Sequence, residues 1–246
     1  MFGRGEDALK AGLIDATAFD SDIINKLKYA AGKEKSDKLK TVSLKKYMRV
    51  AGKSSRISSN KIAVIFADGG INSGKSSDGV VGSESIVKSL SKARQDDNVK
   101  GIVLRVSSQG GSALASDMIA EEIRLCSAEK PIVASMGDLA ASGGYYISAP
   151  CDKIFARKNT ITGSIGIFGI MWEADKAMEK NIGLTFDEVE THTHSNIGNP
   201  LFPIDNVERA FLQANVEHGY GRFIDIVKTG RDAFTDSVQV DAVAQG

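Results

Sequence analysis

From Ile62 onward, short and almost wholly apolar runs alternate with segments whose apolar residues recur every three or four positions. Runs of about 4 to 8 apolar residues bounded by turn residues are strand-like, and three-to-four periodicity is helical. Strands are therefore expected over Ile62–Ala67, Gly101–Val106 and Ile132–Met136, with helices over Ser83–Arg94 and Ala113–Cys126 between them. Strands apolar on both faces belong to a sheet covered on both sides, which for βα units means a largely parallel one. The expected fold class is α/β. Further along, the pattern predicts a helix from about Ala140 to Ser148, strands near Ile154–Ala156 and Gly166–Phe168, and a helix over Glu173–Lys180. A strand over Leu184–Val189 and a long helix from about Ile204 to Val227 follow. Asp236–Ala244 reads as one more helix, begun but not finished where the sequence stops at Gly246.

The first sixty residues have a different texture. Residues 7–31 read as two short helices, Asp7–Ala11 and Ser21–Ala31, the second capped by Ser21 and carrying Ile23, Ile24, Leu27 and Ala30 on one face. Between 32 and 60 the composition shifts to Lys and Ser, as in a solvated linker or, less simply, a basic docking patch. Residues 1–31, 32–60 and 61–246 are thus expected to be an appendage, a linker and the main domain.

Composition narrows the class without choosing the chemistry. Lys plus Arg and Asp plus Glu are equal at 31 each, so no global field favours nucleic acid or an anionic membrane. No stretch approaches the roughly 18 to 20 apolar residues of a spanning helix, and Met1–Glu6 opens no export signal, so this sequence by itself is expected to be soluble. The two cysteines, Cys126 and Cys151, have neither metal-ligand spacing nor a disulfide framework and read as small buried apolar residues.

Three glycine-rich segments carry candidate chemistry, and a fourth imitates it. Gly69, Gly74, Lys75 and Ser76 satisfy the spacing of a phosphate-binding loop after a strand. Such a loop needs the helix to begin at its Lys-Ser pair, whereas Ser77–Gly82 continues as a turn, so nucleotide binding is not expected. Ser107-Ser108-Gln109-Gly110-Gly111-Ser112 closes a strand and leads into a helix, a place where backbone amides can stabilise an oxyanion, or simply a βα turn. Ala141-Ser142-Gly143-Gly144-Tyr145 puts a serine at a helix start among residues that leave it open, which suits a nucleophile or an N-cap. Thr162-Gly163-Ser164-Ile165-Gly166 is either a glycine-punctuated strand or a close-packed wall of the same site, where Ser164 would donate to a catalytic base.

Taken in this order, with Arg105–Ser112, Ala141–Tyr145 and Thr162–Gly166, the motifs closely resemble the signal peptide peptidase A family of serine peptidases over residues 60–246. One departure is Gln109, where the family usually has Pro. The resemblance implies a crotonase-like, ClpP-like core of repeated ββα units. Ser142 is implied as nucleophile, Gly110, Gly111 and Gly143 fall where oxyanion donors are expected, and Ser164 lies near the general base. The implied reaction is peptide hydrolysis through an acyl-enzyme with a lysine base, desolvated so that it is neutral near pH 7, and without metal or cofactor.

That lysine is missing. Short family members carry it just beyond the strand matched by Leu184–Val189, yet no lysine lies between Lys180 and Lys228. Long members have tandem repeats, the first supplying Lys and the second Ser. Phe2–Ala16 looks like the closing segment of a first repeat, and Ala244-Gln245-Gly246 like the lead-in to the same segment of a second. The sequence is accordingly expected to be a piece of the long form, inactive alone and truncated at the C-terminus of its Ser-bearing domain. The family further implies apolar peptide or remnant signal peptide substrates, a homotetramer of full-length chains and the periplasmic face of the bacterial inner membrane, through an anchor absent here. His192 and His194, on one face of a strand at i, i+2, are a rival base or metal pair without an evident third ligand, or a solvated loop. His218 reads as a surface residue. A non-catalytic scaffold subunit and a crotonase-type acyl-CoA enzyme are the rival functions, the latter opposed by the Ala-Ser-Gly-Gly-Tyr motif.

Overall fold

The computed structural model describes residues 5–12, 14–43, 46 and 59–245. The chain divides into two compact units, Met1–Ile57 and Ser58–Gly246. In the first, α1 spans Gly5–Lys10 and α2 spans Asp20–Ala30. Ser21 lies inside α2 rather than capping it; the Asp22 carboxylate accepts the Phe19 amide at the helix start instead. Ile23, Ile24 and Leu27 are exposed. Much of the expected linker, 44–45 and 47–58, lies outside the described residues.

The second unit is a parallel α/β domain. Its elements are β1 (Lys61–Asp68), β2 (Gly70–Asn72), β3 (Val80–Gly82), α3 (Ser83–Gln95), β4 (Val99–Ser108), α4 (Ala113–Glu129), β5 (Ile132–Ala141) and α5 (Gly143–Ser148). They continue as β6 (Lys153–Phe155), β7 (Ile161–Gly163), α6 (Asp175–Ile182), α7 (Asn206–Gly230) and α8 (Ser237–Ala244). The main sheet runs β1-β4-β5-β6 with every pairing parallel, and β7 pairs with β5 beyond β6. β2 and β3 form a separate parallel pair.

Three differences from the sequence expectation have physical causes. β5 runs on through Ala141, because Leu139–Ala141 pair with Ile161–Gly163, and its helix starts only at Gly143. The same pairing places a strand at Ile161–Gly163 and none at the more apolar Gly166–Phe168. Leu184–Val189 has strand composition but no neighbouring strand; it is irregular and exposed, since backbone donors there have no ladder to join.

The core explains why β4 and β5 are fixed. Leu104 and Val106 of β4 and Ile132 and Ala134 of β5 are fully buried, together with Leu90 of α3, Ile119 and Ile123 of α4 and Ile147 of α5. A smaller cluster joins Phe223, Ile224 and Val227 of α7 and Val240 of α8 to Tyr146 and Ala149 around α5. Both cysteines are buried in the main cluster and unpaired. Desolvation pushes the Cys126 thiol up to about 11 and the Cys151 thiol up to about 12. At pH 8 the folded domain should therefore leave both thiols unreacted toward a disulfide reagent, and unfolding should release both together. Leu90→Ala should lower stability by about 2 to 5 kcal/mol in urea unfolding.

Candidate active site

In a parallel sheet, ligand sites form beyond the carboxyl ends of the strands. Here β4 ends at Ser108 and leads into Gln109-Gly110-Gly111, and its neighbour β5 ends at Ala141 and leads into Ser142. Ser142 has φ 49° and ψ −120°, a conformation that residues with side chains seldom hold and that costs on the order of 1 to 3 kcal/mol. It is held there by its neighbours. Its amide donates to the Gly163 carbonyl at 3.0 Å and its carbonyl accepts the Tyr146 amide at 2.8 Å. No side-chain cap is made, so the hydroxyl does not serve as an N-cap. A strand–turn–helix elbow of this kind presents the serine oxygen at the top of the sheet.

Two glycine pairs meet beneath that serine. A Cβ on Gly110 would lie 2.5 Å from the Gly143 amide nitrogen and 2.9 Å from Ser142 Cβ, and φ there is +97°. A Cβ on Gly143 would lie 2.6 Å from Ser116 Oγ and 3.3 Å from the Gly111 nitrogen, and one on Gly144 would lie 2.5 Å from the Ser108 carbonyl oxygen. Any side chain at these positions would drive the two segments apart. The Gly110 amide donates to Ser108 Oγ at 3.1 Å, so its hydrogen bond is made within the turn. A parallel bridge to Ile71 uses the Gly110 carbonyl and the Ser112 amide, which turns the Gly111 amide toward the opposite edge, where Gly143 lies. Among the described residues neither the Gly111 nor the Gly143 amide has an acceptor. Two open amides beside a hydroxyl can hold the oxygen of a carbonyl under attack.

Ser164 completes the wall. The β5–β7 register sets Ala141 opposite Gly163, so Ser142 and Ser164 follow at matching positions, both with φ 49°. All five sequence-expected site residues line one cleft of about 960 Å³. Its apolar lining includes Ile71, Leu114, Ile167, Phe168 and Phe223. No lysine and neither His192 nor His194 is part of that lining.

Asn72, Ser116, Asp117, Tyr146 and Arg222 also line this cleft without a sequence signal, and the last three are bonded to one another. Tyr146 Oη donates to Asp117 Oδ1 at 2.6 Å, and Arg222 Nη2 donates to both oxygens of Asp117 at 2.8 and 2.9 Å. Burial opposes ionisation of Asp117, but the bonds from Arg222 and Tyr146 outweigh it and hold the carboxyl below its ordinary value. Burial, and then the bond to Asp117, push the Tyr146 phenol up. No local pattern joins the three, which lie on α4, α5 and α7.

The phosphate-loop imitation resolves into a cap. Ser76 donates its amide to Ser85 Oγ, Gly82 donates to Ser76 Oγ, and Glu84 donates to the Gly74 carbonyl, so this loop folds over the start of α3. His194 does find further metal-ligating neighbours: its Nδ1 is 3.4 Å from Asp205 Oδ2 and 3.3 Å from Glu208 Oε1. Both carboxylates already form the reciprocal cap at the N-terminus of α7, accepting the Glu208 and Asp205 amides. The histidine belongs to that cap and is not part of the lining of the Ser142 cleft.

A family model described as peptidase family S49 matches residues 124–246. Protease 4 of Haemophilus influenzae is 43% identical over 188 residues, which are 76% of this chain and 30% of that protein. Protease 4 of Salmonella typhi is 38% identical over 97% of this chain and 38% of its own length. A chloroplastic serine protease of Arabidopsis thaliana, called SPPA, is 34% identical over 98% of this chain and 36% of its own. The chain thus spans about a third of the length of these curated relatives. Among solved structures, ClpP1 from Listeria monocytogenes superposes with a TM-score of 0.30 at 23% identity over 36% of this chain and 46% of that one, too little to bear on the fold.

Gly110→Ala should lower stability by about 1 to 3 kcal/mol in urea unfolding, because its Cβ has no space and its φ is positive.

Proposed function

The chain belongs to peptidase family S49, and from that premise we propose that it carries the nucleophilic part of a serine peptidase site, with the base supplied by a lysine outside these residues. The observation that carries this reading is Ser142 itself, held at positive φ beside the two unengaged amides of Gly111 and Gly143. Support for an external base comes from the absence of lysine in the cleft lining and from relatives about three times as long.

The chemistry follows from those positions. Ser142 Oγ attacks the carbonyl carbon of a peptide bond while its proton passes to the neutral lysine amine. The carbonyl oxygen becomes an anion and takes the Gly111 and Gly143 amides, an interaction whose loss typically reduces turnover by about 10² to 10³. The lysinium returns the proton to the departing nitrogen as the C–N bond breaks, leaving an ester on Ser142. Water attacks that ester and gives one proton to the lysine, which passes it to Ser142 Oγ as the ester C–O bond breaks, freeing the acid, the serine and the neutral amine. Ser164 Oγ would accept an N–H of the lysine and orient it, leaving the amine lone pair for the Ser142 proton.

The apolar lining favours apolar peptides, remnant signal peptides among them. We read the working enzyme as a homotetramer of longer chains at the periplasmic face of a bacterial inner membrane, anchored by a segment other than these residues. No helix among the described residues is long and apolar enough to cross a membrane. In the same reading, residues 1–31 are the end of a preceding repeat and 61–246 the Ser-bearing one.

Intact-mass labelling with a fluorophosphonate tests the reading. A chain extended upstream through a complete first repeat should gain one adduct, Ser142→Ala in that chain should gain none, and residues 1–246 alone should label at least about 10²-fold more slowly for want of a base. A folded extended chain that never labels would favour the scaffold reading instead.

A further inference from the structure

The elbow at Ser142 is fastened to a helix about eighty residues downstream. Tyr146 connects the two directly. Its amide bonds the Ser142 carbonyl, its ring meets the Phe223 ring edge-on with centroids 4.9 Å apart, and its hydroxyl bonds Asp117. Arg222, next to Phe223 on α7, grips the same carboxylate through both oxygens. One turn earlier on α7, a Cβ on Gly219 would lie 2.8 Å from Ile167 Cδ1, so α7 also rests on the segment that follows Ser164. The Arg222–Asp117 pair is too exposed to add much stability of its own. The Tyr146 hydroxyl is different, because Tyr146 is buried and its partner is a charged acceptor.

We infer that Arg222, Asp117 and Tyr146 form a clamp that positions the first turn of α5, and with it the Ser142 elbow and the Gly143 amide, from α7. This rests on the reading of Ser142 as the nucleophile. The three are positioning residues. A backbone at positive φ persists only where its surroundings over-determine it, and the Tyr146 amide to Ser142 carbonyl bond is one of the two contacts that fix it. Tyr146 lies on the same short helix as Gly143, so freedom gained at its ring reaches the amide that would hold the oxyanion.

Two measurements on the extended chain separate the clamp from the nucleophile. In hydrogen exchange, Tyr146→Phe and Arg222→Gln should each speed exchange of the 142–148 peptide about tenfold or more while the buried amides of β4 stay unchanged. In labelling at increasing fluorophosphonate concentration, each variant should lower the saturating rate about tenfold and leave the half-saturating concentration within about twofold, as expected for an interaction made mainly in the transition state. The double variant should fall no further than Tyr146→Phe, since both act through Asp117. Unchanged exchange of 142–148 overturns the inference whatever the labelling does. An effect confined to half-saturation, or additive losses in the double variant, overturns it as well. Faster exchange in variants of a parent that never labels would keep the clamp as a feature of the fold and sink the nucleophile reading instead.

Discussion

Everything at the candidate site depends on backbone touching backbone at Gly110-Gly111 and Gly143-Gly144. The Gly110 Cα and the Gly143 nitrogen approach so closely that no methyl group fits between them. That contact brings the end of β4 against the end of β5 and leaves two amides beside the Ser142 hydroxyl. The rest of the domain can be understood as what makes so close an approach stable. The buried faces of β4 and β5 and the packing of α4 and α5 align the strand ends, and β7 pins Ser142 through the Gly163 carbonyl. The serine's positive φ is a consequence, because the chain must reverse from strand to helix within one residue while Gly110 occupies the space beneath.

A site built this way is sparing in side chains. Ser142 and Ser164 are the hydroxyls set side by side by the β5–β7 pairing, and further polarity comes from backbone amides, from Asn72, Gln109, Ser112 and Ser116, and from the Asp117–Tyr146–Arg222 cluster. Small residues keep the floor low, and apolar side chains from β2, α4 and α7 line the sides. In the proposed mechanism such a cleft takes an extended apolar chain whose reacting carbonyl is held by the Gly111 and Gly143 amides. It contains no lysine, so in the proposed mechanism the proton must leave toward chain lying outside these residues.

The sequence made the central strands and their helices legible because β1, β4 and β5 are apolar runs of strand length and α3 and α4 are periodic. β2 and β3 were not legible: three residues each, among glycines and serines, carry no period. At Gly166–Phe168 and Leu184–Val189 apolar composition misled, since a strand exists only where a partner offers its edge, and Leu139–Ala141 offered theirs to Ile161–Gly163. The helix expected from Ala140 to Ser148 starts only at Gly143 for the same reason. Within the site, the glycine and serine motifs announced that two strand ends and a third segment would meet. They did not tell which amides would stay open. Gly110 looks as suitable as Gly111 until Ser108 Oγ is seen to engage it. The Asp117–Arg222 contact spans 105 residues and follows no spacing rule, so only the fold discloses it.

The most direct test of the central claim is a crystal structure of the fluorophosphonate adduct of the extended chain. The expected structure has phosphorus bonded to Ser142 Oγ, its phosphonyl oxygen within hydrogen-bond distance of the Gly111 and Gly143 amides, and a lysine ammonium from the upstream repeat within reach of Ser142 Oγ. An adduct on another residue, or a phosphonyl oxygen turned to solvent with the two glycine amides left open, would contradict it.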